Sequence, residues 1–132
     1  MNEEEEKKEE MIEMMGLASK MLQSRTLVIS QAVSSKLTDK ILNQLILLEQ
    51  ESAEEGITIM INSPGGEVFS GLAIFDTLKF ITCPITTVVT GFAASMGSIL
   101  SLAGDTGRCF AMPNSKIMIH QPLLTGYRGS AI

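Results

Sequence analysis

Three short stretches of this sequence carry residue types suited to acyl-transfer chemistry. Ser95 lies in "TGFAASMGS", where a run of β-branched residues, Ile85 to Thr90, gives way to small residues and then to an apolar stretch. That pattern predicts a strand, a turn at Gly91 and a helix from about residue 93 to 103, with Ser95 in its first turn. Unpaired backbone N–H groups and the positive dipole end there favour developing negative charge, which suits a nucleophile. Gly65 and Gly66, in "NSPGGE", follow one predicted strand and precede a helix, so their backbone N–H groups are unobstructed and can form half of an oxyanion hole. His120 is the single histidine, so any Ser-His chemistry within this chain must use it. Each feature also has a plainer reading: a helix cap or packing residue, a Pro-Gly turn, a satisfied histidine at a strand end. Together they supply three different parts, a nucleophile, a base and an oxyanion donor. The spacing around Ser95 is not the G-x-S-x-G of a nucleophile elbow, so that motif does not apply.

These groups must be positioned by alternating strands and helices. Thr26 to Ile29 reads as a short strand. Ser34 or Ser35 caps a helix running to about Glu51, with Leu37, Ile41, Leu45 and Leu48 as one apolar stripe, and Gly56 beyond its end is expected to be left-handed. "ITIMI", Ile57 to Ile61, has the near-continuous apolarity of a strand covered on both faces. A helix follows from Val68 to Phe80 with Val68, Leu72, Phe75 and Leu78 inward, and a last strand, Lys116 to Ile119, ends at His120. Met11 to Leu22 has partial helical spacing, weakened by Gly16. The alternation predicts an α/β layer with right-handed crossovers and a mainly parallel sheet. Sites in such sheets sit beyond the carboxyl ends of strands, where all three motifs fall.

Composition narrows the function classes. The 132 residues have the length of one domain, with a net charge of −5 and a hydrophobic fraction of 45%. Asn2 to Glu10 carries six Glu against two Lys, so the rest is nearly neutral and no Lys/Arg cluster exists to neutralise phosphates, which argues against nucleic acid. The acidic run reads as a solvated, frayed tail. Cys83 and Cys109 lack a CxxC spacing and a His-rich partner sequence, so neither a zinc site nor a disulfide framework is suggested, and they read as two buried, reduced thiols; no metal or cofactor is expected. Phe80 to Gly104 is uncharged, yet only eight of the twenty residues from Ile85 to Gly104 are Val, Ile, Leu, Phe or Met, which fits core elements better than a membrane span. The acidic N-terminus is unlike a signal peptide, so a cytoplasmic location is expected.

"INSPGGEVFSGLAIFDTLKF" from Ile61, "TTVVTGFAASMGSILSLAG" from Thr86 and "NSKIMIHQP" from Asn114 closely resemble the Clp protease proteolytic subunits, self-compartmentalising serine peptidases of crotonase-like fold. The similarity spans about Thr26 to Ile132. It implies Ser95 as nucleophile, His120 as general base, and the backbone N–H groups of Gly66 and Met96 as the oxyanion hole. Substrate backbone would pair with Gly66, Glu67, Val68 and Phe69 and with Pro122, Leu123 and Leu124, a strand addition consistent with weak sequence preference. It further implies seven-membered rings, double rings, polypeptide substrates, and AAA+ unfoldase ATPases of the Clp type as partners. Residues 1–24 then form an acidic, methionine-rich N-terminal segment, and 25–132 a head domain incomplete at its C-terminus.

Departures from the family pattern carry their own expectations. The family's third triad member is an aspartate well beyond the histidine motif, and no acidic residue follows His120 here. Asp105, in "GDTG", matches no family catalytic position. Most of the helix-and-strand handle through which rings stack is also absent. Phe92 stands where glutamine is common, as in some paralogous subunits of mixed rings, and the N-terminus is longer than the usual pore loop. Two alternatives stand beside the peptidase: a catalytically impaired or scaffolding ring subunit, and a crotonase-type acyl-CoA enzyme, which would not need Ser95 paired with His120.

Overall fold

The computed structural model describes residues 2–119. Nine elements follow one another: α1 (Glu3–Gln23), β1 (Thr26–Ile29), α2 (Ser35–Glu51), β2 (Ile57–Ser63), α3 (Val68–Phe80), β3 (Ile85–Ala94), α4 (Met96–Ser101), β4 (Cys109–Ala111) and β5 (Lys116–Met118). The five strands form one sheet in the order β1-β2-β3-β4, with β5 also on β3, and every pairing is parallel. The α/β alternation and the parallel sheet expected from the sequence are therefore present.

The core is built from alternate strand residues and one helix stripe. Ile57, Ile59 and Ile61 of β2 and Ile85 and Val89 of β3 are fully buried, and Leu37, Ile41, Leu45 and Leu48 of α2 pack in the same cluster. β2 is less symmetrically covered than its apolar run suggests, since Thr58 and Met60 are only half-buried. Ser34 caps α2, accepting the Leu37 N–H at 3.2 Å. At the other end Gly56 is not left-handed. The helix stops in an extended Ser52, whose hydroxyl accepts the N–H groups of Glu54 and Glu55, while Arg25 takes up free carbonyls. Arg25, itself at φ 56°, is buried and donates to the carbonyls of Leu48, Ser52, Glu55 and Gly56.

Other expectations shift. α1 begins at Glu3, not Met11, because Asn2 and Glu5 form a reciprocal capping box and the acidic first turn opposes the helix dipole favourably. The acidic run is solvated but helical, and Gly16 does not interrupt it. The inward face of α3 is Gly71, Ile74 and Leu78, with Leu72 and Phe75 half-buried and Val68 exposed, since the helix must seat Gly71 against Met96. Cys83 is buried, but Cys109 is exposed on a short strand the sequence did not signal.

The largest revision lies between β3 and α4. β3 runs ten residues through Gly91, which sits at φ 69°, and so changes partner along one edge. Thr87 to Val89 pair with β4 and Phe92 to Ala94 with β5. On the other side the register with β2 jumps from Val89 opposite Ile61 to Ala93 opposite Ser63, a bulge that increases local twist. Asn62 Oδ1 accepts the Phe92 N–H at 3.1 Å within it. The helix after β3 is consequently short, Met96 to Ser101.

Candidate active site

Ser95 sits between β3 and α4, at the helix N-cap rather than in its first turn. Its backbone has φ 55° and ψ −120°, a region that costs a non-glycine residue about 1–3 kcal/mol. Several bonds hold it there. Its N–H donates to the Met118 carbonyl at 3.0 Å, and its own carbonyl accepts the N–H groups of Ser98 at 3.0 Å and Ile99 at 3.3 Å. The Ser98 hydroxyl also donates to that carbonyl. Further along, Ser101 donates to the Ser98 carbonyl and Thr87 to that of Ser101, so buried hydroxyls anchor α4 to β3. The Ser95 hydroxyl itself caps nothing. It makes no hydrogen bond to any of the described residues, and Ser95 as a whole is half-buried. A strained strand-to-helix turn presenting a serine is the geometry of a nucleophile elbow, reached here without its usual spacing.

The Pro64-Gly65-Gly66 turn lies directly against this elbow. A Cβ on Gly65 would stand 2.8 Å from the Ala94 carbonyl oxygen, 3.0 Å from the Met96 nitrogen and 3.0 Å from the Ser95 Cβ. Gly97 makes a second close approach, its added Cβ falling 2.7 Å from the Ser63 oxygen. Gly65 and Gly66 have φ of 95° and 154°, which L side chains rarely adopt. Val33 pairs with the turn, donating to Gly65 O at 2.8 Å and accepting from Glu67 N–H at 3.0 Å. By ladder alternation the N–H of Gly66 then faces away from Val33, toward the β3 side. Neither it nor the Met96 N–H makes a hydrogen bond among the described residues.

The sites expected from the sequence divide accordingly. Ser95 and Met96 lie against Gly65 at the carboxyl ends of β2 and β3, and Gly66 is the next residue of that turn. Glu67, Val68 and Phe69 follow at the start of α3, all three exposed, with Phe69 at 86%. Glu67 accepts the Ser70 hydroxyl at 2.7 Å. β5 reaches the same edge, since Ala94 pairs with Met118. His120, Pro122, Leu123 and Leu124 lie outside the described residues. Asp105 has a structural role, accepting the Ile85 N–H and donating its own to the Ile85 carbonyl. Sequence reasoning passed over Ser63 and Asn62, although a serine two positions before a glycine in a Pro-Gly turn is a local signal for a side-chain bond to the backbone.

The motif order and this geometry agree with a family match. The Clp protease family model aligns with residues 6–132. The chain belongs to the Clp protease family. It is 46% identical over 112 residues to an ATP-dependent Clp protease proteolytic subunit of Deinococcus radiodurans, covering 85% of this chain and 54% of that protein. It is 56% identical over 105 residues to ATP-dependent Clp protease proteolytic subunit 1 of Protochlamydia amoebophila, covering 80% and 51%. This Clp family chain thus spans about half the length of these relatives. Among its described residues no helix is long and apolar enough to cross a membrane, and no three His, Cys, Asp or Glu side chains form a metal-binding group.

Proposed function

We propose that this chain is part of a serine endopeptidase subunit in which Ser95 attacks the scissile carbonyl. The observation that carries the reading is the strained Ser95, whose hydroxyl has no partner among the described residues, with the N–H groups of Met96 and Gly66, likewise unbonded among those residues, on adjoining strand ends. In this mechanism His120, two positions beyond the Met118 carbonyl that holds Ser95, takes the hydroxyl proton as Oγ bonds to the carbonyl carbon. The carbonyl oxygen becomes an oxyanion held by the Gly66 and Met96 amides. His120 then gives the proton to the leaving amine, and water hydrolyses the acyl-enzyme by the same steps. Substrate adds as a strand along Gly66 to Phe69 on one side and Pro122 to Leu124 on the other. No acidic residue follows His120 in this sequence, and the reading assigns no third triad member.

The finer partners belong to the same proposal. The subunit assembles into heptameric and double rings in the cytoplasm, alone or with a paralogous subunit, and receives unfolded polypeptides from AAA+ ATPases. Residues 1–24 form a separate segment ahead of the head domain. Supporting self-association, large apolar side chains stand open on α1 and the β4–β5 edge: Met11, Ile12, Met14, Leu17, Phe110 and Ile119. That both relatives are Clp protease proteolytic subunits supports the peptidase over a scaffold or an acyl-CoA enzyme. A fluorophosphonate probe tests it: full-length protein should be labelled at Ser95 and hydrolyse a fluorogenic peptide, and Ser95→Ala should do neither. Persisting turnover in the purified mutant refutes the assignment.

A further inference from the structure

Ser63, at the end of β2, is only 1% exposed, and its hydroxyl joins two backbone groups from different segments. It donates to the Gln31 carbonyl at 2.7 Å and accepts the Gly65 N–H at 3.2 Å. Gln31 lies in the loop after β1, and Gly65 opens the turn after β2. With the Gly65 carbonyl already taken by Val33, this bond leaves Gly65 with no unbonded polar group of its own. The fixed glycine is the one packed on Ala94, Ser95 and Met96. Gly66 comes next in the chain, so its N–H direction follows from how Gly65 is held.

We propose that Ser63 is a positioning residue, its hydroxyl fixing the Gly65-Gly66 turn so that the Gly66 N–H meets the Met96 N–H at one point. It touches no substrate. The inference rests on the peptidase reading, in which those two amides hold the oxyanion. Without the hydroxyl, both the Gly65 N–H and the Gln31 carbonyl lose their partner, and the turn is held only by the Val33 bonds to Gly65 and Glu67 and by packing on residues 94–96, so the peptide entering Gly65 can tilt. A donor displaced by a fraction of an ångström weakens stabilisation of the transition state more than binding of the ground state.

The experiment uses full-length protein, with steady-state peptide hydrolysis, fluorophosphonate labelling of Ser95 and thermal unfolding measured side by side. Ser63→Ala should lower kcat by about 10- to 100-fold, less than complete loss of an oxyanion donor, with KM within about 2-fold. Ser63→Thr, which keeps the hydroxyl, should restore most of the rate. A wild type that is not labelled at Ser95 sinks the peptidase reading itself. A labelled wild type with Ser63→Ala equally fast overturns only the role of Ser63. So does a loss in which kcat, KM and melting temperature all move and threonine rescues none of them. If alanine prevents folding, Ser63→Cys decides, because a thiol nearly matches the shape but bonds weakly. Its kcat should fall at least about 3-fold with KM held. An unchanged rate, or failure of both variants to fold, makes Ser63 a structural residue only and overturns the proposal.

Discussion

Replacing Gly65 by alanine tests how tightly the glycine turn and the serine elbow are locked together. The new methyl would sit 2.8 Å from the Ala94 oxygen and 3.0 Å from both the Met96 nitrogen and the Ser95 Cβ, and none of these is the far end of a flexible side chain. Restoring ordinary contact at 3.4 Å requires the two segments to part by about 0.6 Å. Two costs add: backbone strain at φ 95°, about 1–3 kcal/mol, and overpacking, about 1–3 kcal/mol. Gly107 separates them, since it has φ 80° and open space around its Cβ position, and it precedes β4 at the opposite end of the parallel sheet. Gly107→Ala should therefore show the strain alone, about 1 kcal/mol or somewhat more. Gly65→Ala should lose about 2–6 kcal/mol by denaturant titration. Since a 1 Å misplacement of reacting groups costs about 100-fold in rate, 0.6 Å should lower kcat roughly 10-fold or more in full-length protein. Equal destabilisation by the two variants, with kcat unchanged in Gly65→Ala, would refute the claim that the turn and the elbow are in mutual contact.

Three further outcomes follow from particular contacts. Arg25→Met removes a buried guanidinium bonded to four carbonyls around the end of α2, and should cost about 2–4 kcal/mol in urea unfolding, far more than loss of its pair with the exposed Glu55 alone. Ser34→Ala leaves the Leu37 N–H without its cap and should lower stability by about 1 kcal/mol in the same assay. Asn2→Ala breaks the capping box of α1, which buries no residue in the core, so hydrogen exchange should accelerate across its first turns while the global unfolding midpoint stays put.

Elements whose local preferences agreed with their packing were legible in the sequence. Thr26–Ile29 is β-branched at three of its four positions, and Ser34 with the stripe Leu37, Ile41, Leu45, Leu48 specifies both the start and the buried face of α2. The start of α1 was legible too, in an asparagine three residues before a glutamate, but the density of like charge argued for a frayed tail. Where packing decided, the pattern misled. Of the residues expected inward on α3, Leu78 is buried and Leu72 and Phe75 pack half-buried against the core, but Val68 is exposed, and the helix is seated instead at Gly71, where an added Cβ would strike the Met96 side chain. β4 is three residues long and exposed, too short for periodicity to register. "GFAAS" has the small residues of a helix start, but Phe92, Ala93 and Ala94 remain strand because β5 pairs with them, a partner more than twenty residues away.

That non-local pairing is also what makes the serine unusual. A serine in the first turn of a helix, as its sequence suggests, would be unstrained, with its hydroxyl free to cap its own helix. Extending β3 to Ala94 while α4 starts at Met96 forces the whole change of direction into one residue, and Ser95 absorbs it at φ 55°. The strain persists because its N–H is tied to Met118, its carbonyl to Ser98 and Ile99, and its flank to Gly65. Those same ties keep the hydroxyl from capping its own helix and, among the described residues, leave the Met96 N–H unbonded. The reactive arrangement is therefore a product of the strand pairing rather than of a local motif, so loosening β5 should disarm Ser95 even with every proposed catalytic residue in place.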